Sequence, residues 1–459
     1  MTVTPEHMAG APAVGPLPPL RVPRLSQFHL GNGLEVVAIP RTVAPIVSLT
    51  LTLRSGADAD PSQMAGLASL TAEMMDEGAG DRSALDIARD LEQIGADLWL
   101  GAGRDGSQLG LQVPRAGFER ALEIASEILL RPRFAQDDWE RVKSDRLTGL
   151  AQRRDQPESV SNVVADRVLF AGDHPYGQPV EGFENTVERI TLADVSRFHA
   201  TRWRSSEASL IVAGDVDQQA LPAQLERAFG GWAGGDVPAI RAGGRPATPP
   251  RLVLVHRPGA PQSIVRVIAP GETRLSPDRT ALRMLNAIFG GSFTSRLNFN
   301  LREQKGYTYG ANSSFSFMRQ AGAFSARAAV FTEVTAASVT EFLNELRDLR
   351  QRAITDDELT KARATLLDRA AEALSTTGGL TSLYGELRLY GLGLDEPARF
   401  VRELEEPTAA SLQELARQRI DPDQVGIVIV GDRAAIEPEL LALGLPPPRL
   451  YDADGNPTS

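Results

Sequence analysis

Apolar positions recur along this chain first at period two and then at helical spacing, and that alternation lays out its elements. Phe28-His29-Leu30 and Leu34-Glu35-Val36-Val37 flank Gly31-Asn32-Gly33, which predicts a hairpin because Asn-Gly accepts the positive φ of a tight turn. Ile46 to Leu53 alternates apolar with small polar residues, as a strand with one buried face does. A helix is predicted over Met64–Asp76 and another near Ala84–Ile94, followed by an antiparallel pair at Ala96–Ala102 and Gln108–Val113. Beyond these, helical spacing dominates.

The pattern then repeats. Leu210-Ile211-Val212-Ala213-Gly214-Asp215 matches Ile427-Val428-Ile429-Val430-Gly431-Asp432, and the helix opening at Phe134 to Glu140 matches that at Ile354 to Leu359. Apolar spacing at Phe118, Leu122 and Ala125 parallels Val339, Leu343 and Leu346, so that all offsets lie between 217 and 221 residues. Three elements at nearly one offset predict two copies of one α+β domain, each an antiparallel-rich sheet packed with helices. The expected boundaries are a Pro-rich leader at 1–25, a first domain at 26–233, a linker at 234–250, a second domain at 251–444 and a loosely held tail at 445–459. The linker assignment follows from four prolines and four glycines between Gly234 and Pro250.

Composition narrows what such a molecule does. At 459 residues, with 42% hydrophobic and 23% charged, usage is globular and no 18-residue apolar run is present. A net charge of −11 disfavours nucleic acid and favours cationic partners such as basic peptides. There is no cysteine, which removes thiol nucleophiles, disulfides and thiolate metal sites. The first basic residue is Arg21 and prolines at 12, 16, 18 and 19 break the segment before it, so neither the basic nor the apolar region of a signal peptide is legible. Cytoplasm is the expected compartment, with the periplasm as the alternative.

Candidate chemistry is sparse. The five histidines, at 7, 29, 174, 199 and 256, are too far apart for one helix to offer two imidazoles. His199 reads as a helix-surface or core residue and His174 as a turn-ordering one. Glu73, Asp76 and Glu77 share a helical face, either as a hard-cation site or as a solvated acidic face, and the second reading is preferred. Gly290-Gly291-Ser292 lacks the Lys-Ser or Lys-Thr of a phosphate loop. That leaves Arg302 and Tyr309, seven apart in Leu301-Arg302-Glu303-Gln304-Lys305-Gly306-Tyr307-Thr308-Tyr309-Gly310. A guanidinium forks onto carbonyl oxygens and a phenol donates to an oxygen gaining charge, which suits a peptide's transition state. Residue chemistry leaves open an ion pair for Arg302 and an ordinary strand aromatic for Tyr309.

With these residues in view, the chain resembles the insulinase/pitrilysin family of zinc peptidases, in particular its mitochondrial-processing-peptidase-like branch. Gly290 to Leu297 followed by Leu301 to Tyr309 is similar to that family's second-half signature, and the Asp173–Gly177 turn continuing to Pro179 and Gly182 also resembles it. The family's inverted H-x-x-E-H motif maps onto α-helical residues in which Ser69, Ala72 and Glu73 stand for His, Glu and His, and Gly149 stands for the distal Glu ligand. The resemblance therefore implies a zinc-free, non-catalytic subunit that is inert alone. It implies a heterodimer with a homologous subunit that carries the zinc, a peptide substrate held between them, and Arg302 and Tyr309 assisting the partner's site. The segment Gly95–Gly101 corresponds to the family's edge strand, to which peptide adds. Two rivals share the fold: a scaffold subunit, as in respiratory-complex core proteins, and a homodimeric peptide-binding module.

Overall fold

The computed structural model describes residues 20–172 and 174–458. In the first half, strands β1 (Ser26–His29), β2 (Glu35–Pro40), β3 (Ile46–Leu53), β4 (Asp97–Ala102), β5 (Ser107–Pro114) and β6 (Ala208–Gly214) form one sheet in the order β1-β2-β6-β3-β5-β4. The predicted hairpin closes through Gly33 N to Leu30 O and Leu30 N to Leu34 O, both 3.0 Å, with Gly33 at φ 84° in the left-handed position of a bulged turn. The second half contributes β7 (Leu252–His256), β8 (Gln262–Gly271), β9 (Ala311–Phe317), β10 (Gly322–Phe331), β11 (Gly426–Gly431) and β12 (Arg449–Tyr451), ordered β9-β10-β8-β11-β7-β12.

The two sheets repeat one five-strand pattern. β2 runs parallel to β6 as β7 does to β11, and β3 pairs antiparallel with β5 and β6 as β8 does with β10 and β11. The sixth strands differ, since β1 is antiparallel to β2 whereas β12 is parallel to β7. The chain thus consists of two homologous α+β units, as the repeated apolar motifs predict.

Helices α1 (Leu67–Met75), α2 (Gln136–Arg154) and α3 (Pro157–Leu169) belong to the first half; α4 (Arg279–Phe289), α5 (Asp356–Ser375), α6 (Thr377–Leu389) and α7 (Glu396–Glu405) belong to the second. One face of each sheet is covered by its own half's helices: Leu49 and Leu51 meet Leu70, Met74 and Leu122, and Val265 and Val267 meet Leu285, Phe342 and Leu346. The opposite faces are covered by exchange. α3 lays Val160, Val164 and Val168 on Val253, Ile264, Val428 and Val430 of the second sheet. In return α6 lays Leu380, Tyr384 and Leu387 on Val37, Ile39, Ile211 and Ala213 of the first. Each such side chain contributes about 1.5–3 kcal/mol by leaving water, so the halves interlock through both sheets.

Two expectations change. The stretch 445–458 is not a loose tail: β12 completes the edge beside β7, Arg154 Nη2 holds Asp454 Oδ2 at 2.6 Å, and Arg167 Nη2 donates to Asn456 Oδ1 at 2.8 Å. An open edge of β7 and two arginines from the first half supply partners that Pro446-Pro447-Pro448 does not advertise. The stretch 234–250 does connect the units without helix or strand, but it is tied down, with Ala247 N on Leu169 O at 2.9 Å and Gly243 N on the Gln320 side chain. Most of the leader expected at 1–25 lies outside the described residues, though Leu20 and Leu25 pack beside α6. Among the described residues, no helix is long and apolar enough to cross a membrane.

Candidate functional site

The helix that carries the motif positions begins at Gly66, whose φ of 102° and close approach to Glu181 O leave no room for a side chain. Asp60 caps it from outside, accepting from Gly66 N at 2.9 Å and Ala68 N at 2.8 Å. Loss of water nevertheless pushes the Asp60 carboxyl up to about 8. Leu67, Leu70, Met74 and Met75 are fully buried, and Ala72 with them, while Glu73 faces outward. α1 lies beside the edge strand β4, where the Trp99 ring covers its cross-strand neighbour Gly110 so closely that a Cβ there would fall 2.2 Å from it.

The decisive side chain comes from α2. Arg146, with 13% of its side chain exposed, donates from Nη1 to Ser69 Oγ at 2.8 Å and Glu181 O at 3.1 Å, and from Nη2 to Glu73 Oε2 at 2.5 Å. A guanidinium therefore bridges the first and third motif positions. Nothing in the spacing of Ser69, Ala72 and Glu73 points to a residue more than seventy positions on; only its place one helical turn before Gly149 connects it to the motif. At Gly149 an added Cβ would meet nothing within 4 Å. Of the neighbouring acids, Glu77 pairs with Arg141, and burial pushes Asp76 up to about 6. The outward acidic face is thus partly ion-paired by α2.

This donor set does not fit zinc. One hydroxyl, one carboxylate, a methyl and a hydrogen stand where two imidazoles and two carboxylates are needed, and a permanent cation bridges what remains. Among the described residues no three His, Cys, Asp or Glu side chains cluster as a metal site. His174 is buried, its Nδ1 accepting from Tyr176 N at 3.1 Å, and so orders its turn; His199 Nε2 bonds Leu129 O at 3.0 Å. Burial pushes both imidazoles down, toward the neutral form.

Arg302 and Tyr309 lie in the second half. Arg302 sits on a wide helical turn, Phe299–Gln304, with its guanidinium 4.5 Å over the Phe293 ring and Nε 3.3 Å from Glu303 Oε1. Tyr309 is 86% exposed, in the loop before β9 rather than in a strand. Neither is joined to Ser69, Ala72, Glu73 or Gly149 by a hydrogen bond or ion pair among the described residues.

The molecule is thus a duplicated α+β fold, with α1 beside the edge strand β4 of its first sheet. Residues 36–177 match the family described as Insulinase (Peptidase family M16), and residues 189–366 match the Peptidase M16 inactive domain. The chain belongs to the insulinase family. It is 27% identical over 421 residues to an uncharacterized zinc protease of Mycobacterium tuberculosis, covering 88% of this chain and 92% of the relative. It is 21% identical over 394 residues to the non-peptidase homolog YmxG of Helicobacter pylori, covering 85% of this chain and 90% of that protein. The crystal structure of a peptidase M16 inactive domain from Pseudomonas fluorescens superposes with a TM-score of 0.83 at 25% identity, over 89% of this chain and 98% of that one. A chain of Complex III2 from Candida albicans shares the fold at 17% identity, with a TM-score of 0.72 over 88% of this chain and 95% of its own length.

Proposed function

We propose that the chain is the zinc-free subunit of a heterodimeric metalloendopeptidase, supplying Arg302 and Tyr309 to a zinc site held by a homologous partner. The observation that carries this reading is the contrast between its two halves. Arg146 closes the degenerate motif, while Arg302 is held against Phe293 and Tyr309 stands 86% exposed. Zinc belongs to the partner, where it would polarise the scissile carbonyl. Arg302 orients that carbonyl and Tyr309 donates to the oxygen as it gains charge, while peptide lies between the subunits. Replacing one such donor lowers kcat by roughly 10²–10³-fold. Tyr309→Phe is therefore expected to slow peptide cleavage by a co-purified complex to that extent without releasing either subunit. Unchanged turnover by an intact mutant complex would sink the role.

A second reading, a structural or peptide-binding subunit with no part in catalysis, draws support from similarity to a protein described as a non-peptidase homolog. The same experiment separates the two, because on that reading Tyr309→Phe leaves any complex's turnover untouched. The lone chain forming a stable homodimer that binds peptide would favour it directly.

A further inference from the structure

Between α4, α5, α6 and α7 lies a cavity of about 360 Å³ whose lining holds four arginines and two glutamates. Two of the arginines are paired, Arg274 Nη2 with Glu386 Oε1 at 3.1 Å and Arg279 with Glu396. The other two are not. Arg369, at the solvent-exposed rim, donates only to Gly291 O, at 2.7 Å, and the half-buried Arg283 has neither hydrogen bond nor ion pair among the described residues, resting 4.7 Å over the Phe400 ring. Arg274 Nε and Arg279 Nε are buried without a hydrogen-bond acceptor, and on the acceptor side Glu396 Oε1 is buried without a hydrogen bond; Arg279 as a whole is 6% exposed. Buried guanidinium donors without acceptors are costly, and native folds seldom tolerate several in one place. Desolvation, reinforced by Arg274, pushes the Arg283 pKa down, which is the direction an uncompensated cation takes.

Most of the remaining lining is apolar, including Ala373, Leu374, Leu383 and Leu387, and Ser382 on the wall is solvent-exposed. A fork of donors opposite an aliphatic wall calls for a ligand with a planar anionic head and a short apolar body. We propose that this cavity binds a small amphipathic carboxylate, its head on Arg283 and Arg369 and its chain against Ala373, Leu374 and Leu387. Guanidinium matches a carboxylate bidentately in a way that lysine would not, and cavities of this size suit small ligands rather than polymers. The site stands apart from the heterodimer reading and neither needs it nor supports it.

Isothermal titration of the full chain with decanoate is expected to give saturable one-to-one binding. Decanol, which keeps the body without the charge, and acetate, which keeps the charge without the body, are each expected to bind at least about ten-fold more weakly, as is inorganic phosphate. Arg283→Met should weaken decanoate by about ten-fold or more, with Arg283→Lys between the two. Arg369→Met provides a second variant should Arg283→Met fail to fold, as judged by circular dichroism and gel filtration. No binding of decanoate to the wild-type chain overturns the proposal. So does decanol or phosphate binding as tightly as decanoate, or undiminished decanoate binding by the folded variants.

Discussion

Arg146 is a single side chain that changes what its surroundings can hold. A guanidinium between Ser69 and Glu73 satisfies with a fixed charge the region where a metal ion would sit, so adding ligands alone does not rebuild a zinc site. Ser69→His with Glu73→His and Gly149→Glu is expected to purify with substoichiometric zinc. The same variant with Arg146→Ala is expected to hold close to one equivalent, and elemental analysis of the two distinguishes them. Equal zinc in both would show that Arg146 is indifferent to the metal. The sequence offers Ser69, Ala72 and Glu73 as candidate motif positions because such a motif has a fixed local spacing, whereas Gly149, 76 residues beyond Glu73, is reached only through the family resemblance. Arg146 is not legible there, because it reaches the motif across a helix–helix contact that no local pattern encodes. Arg302 and Tyr309 were legible as a pair of residue types, whereas the Phe293 ring beneath the guanidinium is visible only in the folded loop.

At the scale of elements, α3 and α6 are what hold the two sheets closed, and Tyr384 at the centre of α6 shows how. Its ring is fully buried among Val37, Ile39, Ile211 and Ala213, while its hydroxyl is buried without an acceptor and burial raises its pKa to about 12. Tyr384→Ala is expected to cost about 3–5 kcal/mol, the usual range for emptying a buried aromatic site. Tyr384→Phe keeps the ring and removes an unsatisfied donor, so it is expected to be neutral or stabilising. Urea unfolding of both variants tests this, and a Phe variant as weak as the Ala one would mean the hydroxyl has a partner. The apolar runs Leu210–Ala213 and Ile427–Val430 stand out in the sequence as a repeat, and the fold buries both faces of their strands. They carry no information on which helix does the burying. The exchange brings together side chains from 85 residues apart (Val168 and Val253) to 350 apart (Leu387 and Val37), and the ordered tail escapes the sequence for a related reason: a three-residue strand is specified by its neighbour's open edge rather than by its own pattern.

Across the whole molecule the halves also meet through buried charge. The hairpin turn between β9 and β10 carries Arg319, whose Nη1 lies 3.0 Å from Asp58 Oδ2 and whose backbone N donates to Asp105 Oδ2 at 3.0 Å; Tyr390 Oη also donates to Asp105, at 2.9 Å. Burial, aided by Asp105 and opposed by Arg319, pushes Asp58 up to about 6. The folded chain thus binds this proton more tightly than the unfolded one. The stability so contributed is fully present below about pH 4 and is lost as the pH rises through about 6. Asparagine does not titrate, so the penalty of Asp58→Asn is expected to be smaller at pH 7.5 than at pH 4.5, by on the order of 1–3 kcal/mol. Urea midpoints at the two pH values measure it, and a larger penalty at pH 7.5 would reverse the sign. The exchange of α3 and α6 has a further consequence, during synthesis. The first sheet has all its strands once Gly214 leaves the ribosome, yet the helix that covers its outer face ends at Leu389. At roughly 5–20 residues per second, the nascent first half waits on the order of ten to forty seconds with an apolar sheet face bare. Its folding is therefore completed by its twin, and until then the bare apolar face is open to aggregation.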